Sequence, residues 1–221
     1  MLERRKRYLQ LAINTSAEDA RLVIPRIPHE DRILVEAGTP FIKRYGAGGI
    51  AAIKSLWRGY VVADIKTMDG AREEVEMCAS AGANAVVALG AAPRETLDIF
   101  IKTCESLGVD SMIDMMYVEN TLAVLRPLKK PPRVVVVHRG RDEEGTKGKM
   151  IQYKQINKIK SKYDVFISAA GGVDLEESQD AAFNGAEIVV VNIVRPGQLW
   201  KGLGMNEDIP KLARQFLRNI E

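Results

Sequence analysis

A single (βα)8 barrel, the TIM-barrel form of the α/β class, is the fold this sequence predicts, and three observations predict it. Short apolar runs recur eight times at similar spacing. Most are continuous rather than alternating in polarity, as parallel strands buried on both faces should be. Amphipathic stretches of helical period separate them, and 221 residues suit a compact barrel in one domain.

The strands are expected at 8–14 (YLQLAIN), 32–37 (RILVEA), 60–65 (YVVADI), 84–90 (NAVVALG), 111–116 (SMIDMM), 133–139 (RVVVVHR), 164–170 (DVFISAA) and 187–193 (EIVVVNI). The turn after the first, NTSAED, carries no glycine, which counts against an open doubly wound sheet with a glycine-rich first crossover. Helices are expected at 71–82, 94–108, 175–186 and 206–220. The first two close on Ala-Gly and Leu-Gly before a strand, a helix stop. Pro93 opens the second, where its missing N–H does no harm, and the last starts with Asn206 as cap and an acidic first turn. The domain is taken as 1–221, with 1–7 (MLERRKR) a basic, solvated surface leader.

Composition excludes several classes. Apolar residues make up 46% and charged residues 28%, an ordinary globular balance. A net charge of +3 is too mild to point to nucleic acid, and no segment has the length to cross a bilayer. Cys78 and Cys104 have neither metal-ligand nor disulfide-framework spacing, so they are expected to be reduced thiols of a cytoplasmic protein.

In such barrels the working residues sit at the C-terminal strand ends. Polar residues collect there: Asn14, Glu36, Asp64 with Lys66, Asp114 and His138. Glu36 and Asp64, on adjacent strands, could converge on a hard divalent cation such as Mg²⁺; equally, Asp64 could form a structural ion pair with Lys66. Lys66, two residues on and facing the same way, would stay charged among carboxylates. It suits a fixed cation opposite a developing enolate better than a Schiff-base nucleophile. Asp69 fits either a site or the cap of the next helix. His138 is an acid/base candidate or a hydrogen-bonded rim residue; His29, in IPHED, reads as surface. Gly171-Gly172 could present backbone N–H groups to a phosphate.

LQLAIN, VEAGTP, ADIKTMD, ALGAA, MIDMM, HRGRD and AAGGVD, in that order over about residues 8–194, resemble the orotidine-monophosphate-decarboxylase-like superfamily. The similar branch holds 3-hexulose-6-phosphate synthase and 3-keto-L-gulonate-6-phosphate decarboxylase. ADIKTMD resembles its Asp-x-Lys-x-x-Asp signature. The resemblance implies a Mg²⁺-stabilised enediolate formed on a sugar phosphate, in a homodimer with sites near the interface. It implies Glu36 and Asp64 as metal ligands, Lys66 beside the enediolate and Asp69 reaching the partner's site. Asp114 and His138 would move protons and bind substrate, and Gly171 and Gly172 would bind phosphate.

Three features depart from that pattern. Asn14 stands where the family has Asp, Asn192-Ile193 where it has Gly-Arg or Gly-Gly, and DEEGTKGK (142–149) where synthases have Asp-Gln-Gln. Arg195 is positioned to compensate for the lost phosphate contact. The main expectation is a lyase joining formaldehyde to ribulose 5-phosphate, or the reverse. Arg141, similar to a decarboxylase arginine, favours decarboxylation of a β-keto-acid sugar phosphate instead. Asn14 and Asn192 favour a third reading, a barrel that binds sugar phosphate without turnover.

Overall fold

The computed structural model describes residues 1–144 and 146–221. Eight parallel strands run in sequence order: β1 (Tyr8–Ile13), β2 (Ile33–Ala37), β3 (Tyr60–Thr67), β4 (Ala85–Leu89), β5 (Asp110–Asp114), β6 (Val134–His138), β7 (Phe166–Ala170) and β8 (Ile188–Val194). β8 pairs back with β1 from Tyr8↔Ile188 to Ile13↔Ile193, which closes the barrel. A two-residue strand not expected from the sequence, β9 (Leu203–Gly204), adds to the end of β8. The helices are α1 (Ala17–Val23), α2 (Thr39–Leu56), α3 (Ala71–Ser80), α4 (Arg94–Leu107), α5 (Thr121–Leu125), α6 (Lys154–Lys160), α7 (Leu175–Phe183) and α8 (Ile209–Asn219). Among the described residues no helix is long and apolar enough to cross a membrane.

Alternation along each strand divides the core in two. Leu9, Leu11, Val35, Val61, Val86, Ile113, Val135, Ile167, Val189 and Val191 face the helices. Leu34, Val62, Val87, Met112, Val136, Phe166 and Ile188 fill the barrel interior. Each such buried side chain contributes roughly 1.5–3 kcal/mol, and β-branched residues suit the pleat. The same inward parity leads at the C-terminal strand ends to Glu36, Asp64, Asp114, His138 and Asn192, so the site continues the core upward.

The floor refines one expectation. The opening run is exposed at Met1, Glu3, Arg4 and Arg5, but Leu2 is buried in the barrel interior, and its N–H donates to Asp110 Oδ2 at 2.9 Å. Tyr60 donates to the same oxygen at 2.6 Å. Arg4 and Arg133 both stack on the Phe166 ring, at 4.6 and 4.9 Å.

Two caps are also corrected. α8 is capped by Asp208, which accepts from the Lys211 N–H, not by Asn206. α3 is preceded by Gly70 at φ 61°, so Asp69 is not its cap. The stop at Gly108 (φ 68°) is as expected, and His29 lies exposed with its ring stacked on Trp57.

Candidate active site

The C-terminal mouth of the barrel holds a cavity of about 360 Å³, within the size range of small-molecule sites. Its chemistry centres on a chain of charges. Lys66 Nζ lies 3.1 Å from Asp64 Oδ2 and 2.5 Å from Asp114 Oδ2. The second of these oxygens also meets His138 Nδ1 at 2.7 Å, while Asp114 Oδ1 accepts the Met116 N–H at 2.9 Å. Asp114 is 1% exposed, so it orients both Lys66 and His138 from below.

A backbone irregularity delivers Lys66. Between Ala63 and Thr67 the β3–β4 register slips, so that four residues of β3 oppose two of β4. Lys66 takes φ 55°, a left-handed conformation that costs a non-glycine residue about 1–3 kcal/mol. The ion pairs to Asp64 and Asp114 hold it there. Burial alone would push the ammonium's pKa down, but the two carboxylates outweigh it and hold it above its ordinary value. Burial likewise pushes Asp114 up, and His138 and Lys66 outweigh that to keep its carboxyl well below the usual range.

Glu36 behaves differently. Burial first, then the charge of Asp64, push its carboxyl up to about 7. Gln10 Nε2 donates to Glu36 Oε2 at 2.5 Å and opposes the shift. Asp64 Oδ2 accepts from Thr39 Oγ1 at 2.9 Å, whereas Asp64 Oδ1 is buried with no hydrogen-bond partner among the described residues. Two carboxylates on adjacent strands, with a spare oxygen between cavity and core, fit a hard divalent cation. No group of three or more His, Cys, Asp or Glu among the described residues could hold a metal, so water or ligand oxygens would complete the shell.

The other predicted residues divide. Asn14, Arg141, Gly171 and Asn192 line the cavity. Asn14 Nδ2 donates to Asn192 Oδ1 at 3.0 Å across the β1–β8 seam, so two departures from the family pattern are one contact. Gly38 makes room for it: a Cβ there would lie 2.1 Å from Asn14 Oδ1. The Arg141 guanidinium stacks on Trp200 at 4.3 Å.

Gly171 and Gly172 take φ 107° and 67°, and a Cβ on the first would lie 2.1 Å from the Arg139 carbonyl. Both positions therefore require glycine. Arg139 Nη2 ties the turn down by donating to Gly171 O at 2.7 Å. Gly172 lies beside the cavity, not in its lining. Arg195 does not line the cavity either: it pairs with Asp19 at 2.6 Å and donates to Ser16 Oγ, held by the acidic start of α1. Asp69 is exposed outside the cavity.

Gln10, Thr39, Arg139, Glu144 and Ser168 have no role from sequence alone. For Gln10 and Ser168 a signal existed: counting back in twos from Asn14 and Ala170 reaches a polar residue on the inward face. Glu144, in the variable loop after β6, has a buried Oε2 without a partner among the described residues, and burial raises its pKa.

Against known proteins, the model of the orotidine 5'-phosphate decarboxylase / HUMPS family matches residues 7–192. The chain is 32% identical over 216 residues to the bifunctional enzyme Fae/Hps of Methanothrix thermoacetophila, covering 97% of this chain and 53% of that protein. It is 35% identical over 221 residues to the bifunctional enzyme Fae/Hps of Methanosphaera stadtmanae, covering 96% and 52%. The chain thus spans about half the length of these curated relatives. Among solved structures, 3-hexulose-6-phosphate synthase from Salmonella typhimurium superposes with a TM-score of 0.83 at 27% identity, over 96% of this chain and 98% of that one. 3-Keto-L-gulonate-6-phosphate decarboxylase from Vibrio cholerae, at TM-score 0.76 and 19% identity over 97% of both chains, shares the fold.

Proposed function

The chain belongs to the orotidine 5'-phosphate decarboxylase / HUMPS family, and on that premise we propose that it is a lyase of the 3-hexulose-6-phosphate-synthase type, joining formaldehyde to ribulose 5-phosphate or running the reverse cleavage. The observation that carries this reading is the Asp64–Lys66–Asp114–His138 chain, with Lys66 fixed at 3.1 and 2.5 Å between two carboxylates.

In the forward direction a proton leaves C1 of the ketose phosphate, giving an enediolate; C1 then bonds to the formaldehyde carbon, whose oxygen is protonated. Lys66 faces the developing negative charge as a permanent cation, and being held already it costs no reorganisation. His138, anchored through Nδ1 to Asp114, is the group to carry the proton at Nε2. Glu36 and Asp64 are the residues to hold Mg²⁺, which would supply a second positive charge opposite the substrate oxygens. The turn at Gly171-Gly172 receives the phosphate, with Arg139 and Arg141 near it. Asp69, exposed on the rim, is assigned to the site of a second copy in a homodimer. Buried, unbridged Cys78 and Cys104, each pushed by burial up to about 12, support a reducing cytoplasmic setting.

The test is an assay with Mg²⁺ and ribulose 5-phosphate that follows formaldehyde disappearance, with an EDTA control. Consumption that EDTA stops is the expected result. Carbon dioxide release from a β-keto-acid sugar phosphate instead would favour the decarboxylase that Arg141 suggests. Phosphosugar binding without turnover of either kind would show a barrel that keeps its ligand and has lost the chemistry.

A further inference from the structure

Below the charged chain, the cavity touches two polar side chains that the proposed reaction leaves unused. Gln10 on β1 is 2% exposed and Ser168 on β7 is fully buried, yet both line the cavity. Gln10 Oε1 and Ser168 Oγ have no hydrogen-bond partner among the described residues. Native proteins seldom leave buried amide and hydroxyl oxygens unpaired. Here the strands on either side of Val190 of β8 each carry one, both turned into the same space.

The two groups differ in what they accept. An amide oxygen can only accept, so Gln10 Oε1 requires a donor. A serine hydroxyl donates and accepts, so Ser168 can meet either side of a hydroxyl. Gln10 cannot turn over to offer its amine, because Nε2 is committed to Glu36 Oε2 at 2.5 Å. A carbonyl or carboxylate entering here would set acceptor against acceptor at Gln10 Oε1, whereas a hydroxyl could donate to it. Val190, Val87, Met112 and Val136 around them supply apolar wall, so the polarity is local.

We infer that Gln10 and Ser168 form a recognition layer in the barrel floor of the site, which selects ligands carrying a hydroxyl at the end remote from Gly171-Gly172. The inference rests on the sugar-phosphate reading above and names the part of the sugar that this chain inspects. Through its amine Gln10 also reports to Glu36, so the hydroxyl that fills the layer sits one side chain from the proposed metal ligands.

The experiment is calorimetric binding, in Mg²⁺ buffer, of ribitol 5-phosphate and its singly deoxygenated analogues to the wild-type chain and to Ser168→Ala and Gln10→Met. Ser168→Ala leaves the Gln10–Glu36 bond untouched, so it remains informative if Gln10→Met perturbs the fold. The expected result is that one analogue binds about ten- to a hundredfold more weakly than ribitol 5-phosphate. At least one variant should then bring that ratio close to one while leaving the other ratios unchanged. Equal binding of all analogues by the wild type, as when a resident water serves both oxygens, overturns the inference; so does a ratio that survives in both variants. Absence of ribitol 5-phosphate binding would remove both this inference and the sugar-phosphate reading. Selective binding without formaldehyde consumption would remove the proposed reaction alone.

Discussion

At the scale of single residues, Lys66 concentrates the reading. A strained backbone and two carboxylate partners hold its cation in place. Lys66→Ala should lower kcat by at least about 10²–10³-fold. The fold should survive, because Asp114 keeps His138 and the Met116 N–H and Asp64 keeps Thr39. Circular dichroism beside the formaldehyde assay checks both halves, and retained turnover would remove Lys66 from the chemistry. Asn14 and Asn192 pose a different question, whether two departures are one adjustment. An aspartate at 14 would set acceptor against acceptor, so Asn14→Asp alone should cost about 1 kcal/mol of stability. With Asn192→Gly the penalty should vanish, a coupling of about 0.5–3 kcal/mol in denaturant unfolding; strict additivity would show that the contact carries no energy. The charged residues of the chain could be read from sequence because carboxylates and lysine inside strand ends are costly unless used. Gln10 and Ser168 offered only the weaker signal of inward strand parity, because a single uncharged polar residue in an apolar strand carries too little cost to stand out by itself.

At the scale of elements, the mouth is shaped by loops whose sequences say least. The eight strands and the helix stops followed from apolar runs and glycines. The slip in β3 and the extra β9 did not, since each depends on pairing with another strand, and neither did the α2 bend at Gly46 (φ 57°). The loop after β6 is the case with a functional consequence. A Cβ on Gly172 would lie 2.8 Å from Glu144 Oε2, which puts a carboxyl beside the turn assigned to phosphate. Burial raises its pKa while Arg139 and Arg141 oppose the rise. If the phosphate sits on that turn, Glu144→Gln removes a like charge of about 1 kcal/mol and should lower KM for ribulose 5-phosphate several-fold, with little change in kcat. A raised KM would instead mean that Glu144 serves by ordering the two arginines. Steady-state kinetics at low and high salt distinguishes the cases, since screening shrinks only the electrostatic gain.

At the scale of the whole molecule, the barrel separates what stabilises it from what acts. The floor is sealed by Leu2, Tyr60, Asp110 and the two arginines over Phe166, and the mouth carries the strained Lys66 and the unpaired oxygens of Gln10, Asp64, Glu144 and Ser168. One member of the signature belongs to neither. Asp69 lies only three residues from Lys66, yet it is exposed and outside the cavity, although a carboxylate with the proposed catalytic role needs a reacting group to act on. A second copy of the chain would resolve this if its rim met this one, each Asp69 entering the other's mouth in an isologous pair. That arrangement has a consequence no self-contained site can imitate. Lys66→Ala and Asp69→Asn should each be inactive as pure proteins. Denatured together in equal amounts and refolded, they should form about half mixed dimers, in which one mouth has lost both residues and the other has kept both. About a quarter of wild-type activity should therefore reappear, and it should fall when either variant is in excess. If each mouth were complete within its own chain, the mixture would stay as inactive as its parts, and Asp69 would be a surface residue next to a site it does not serve.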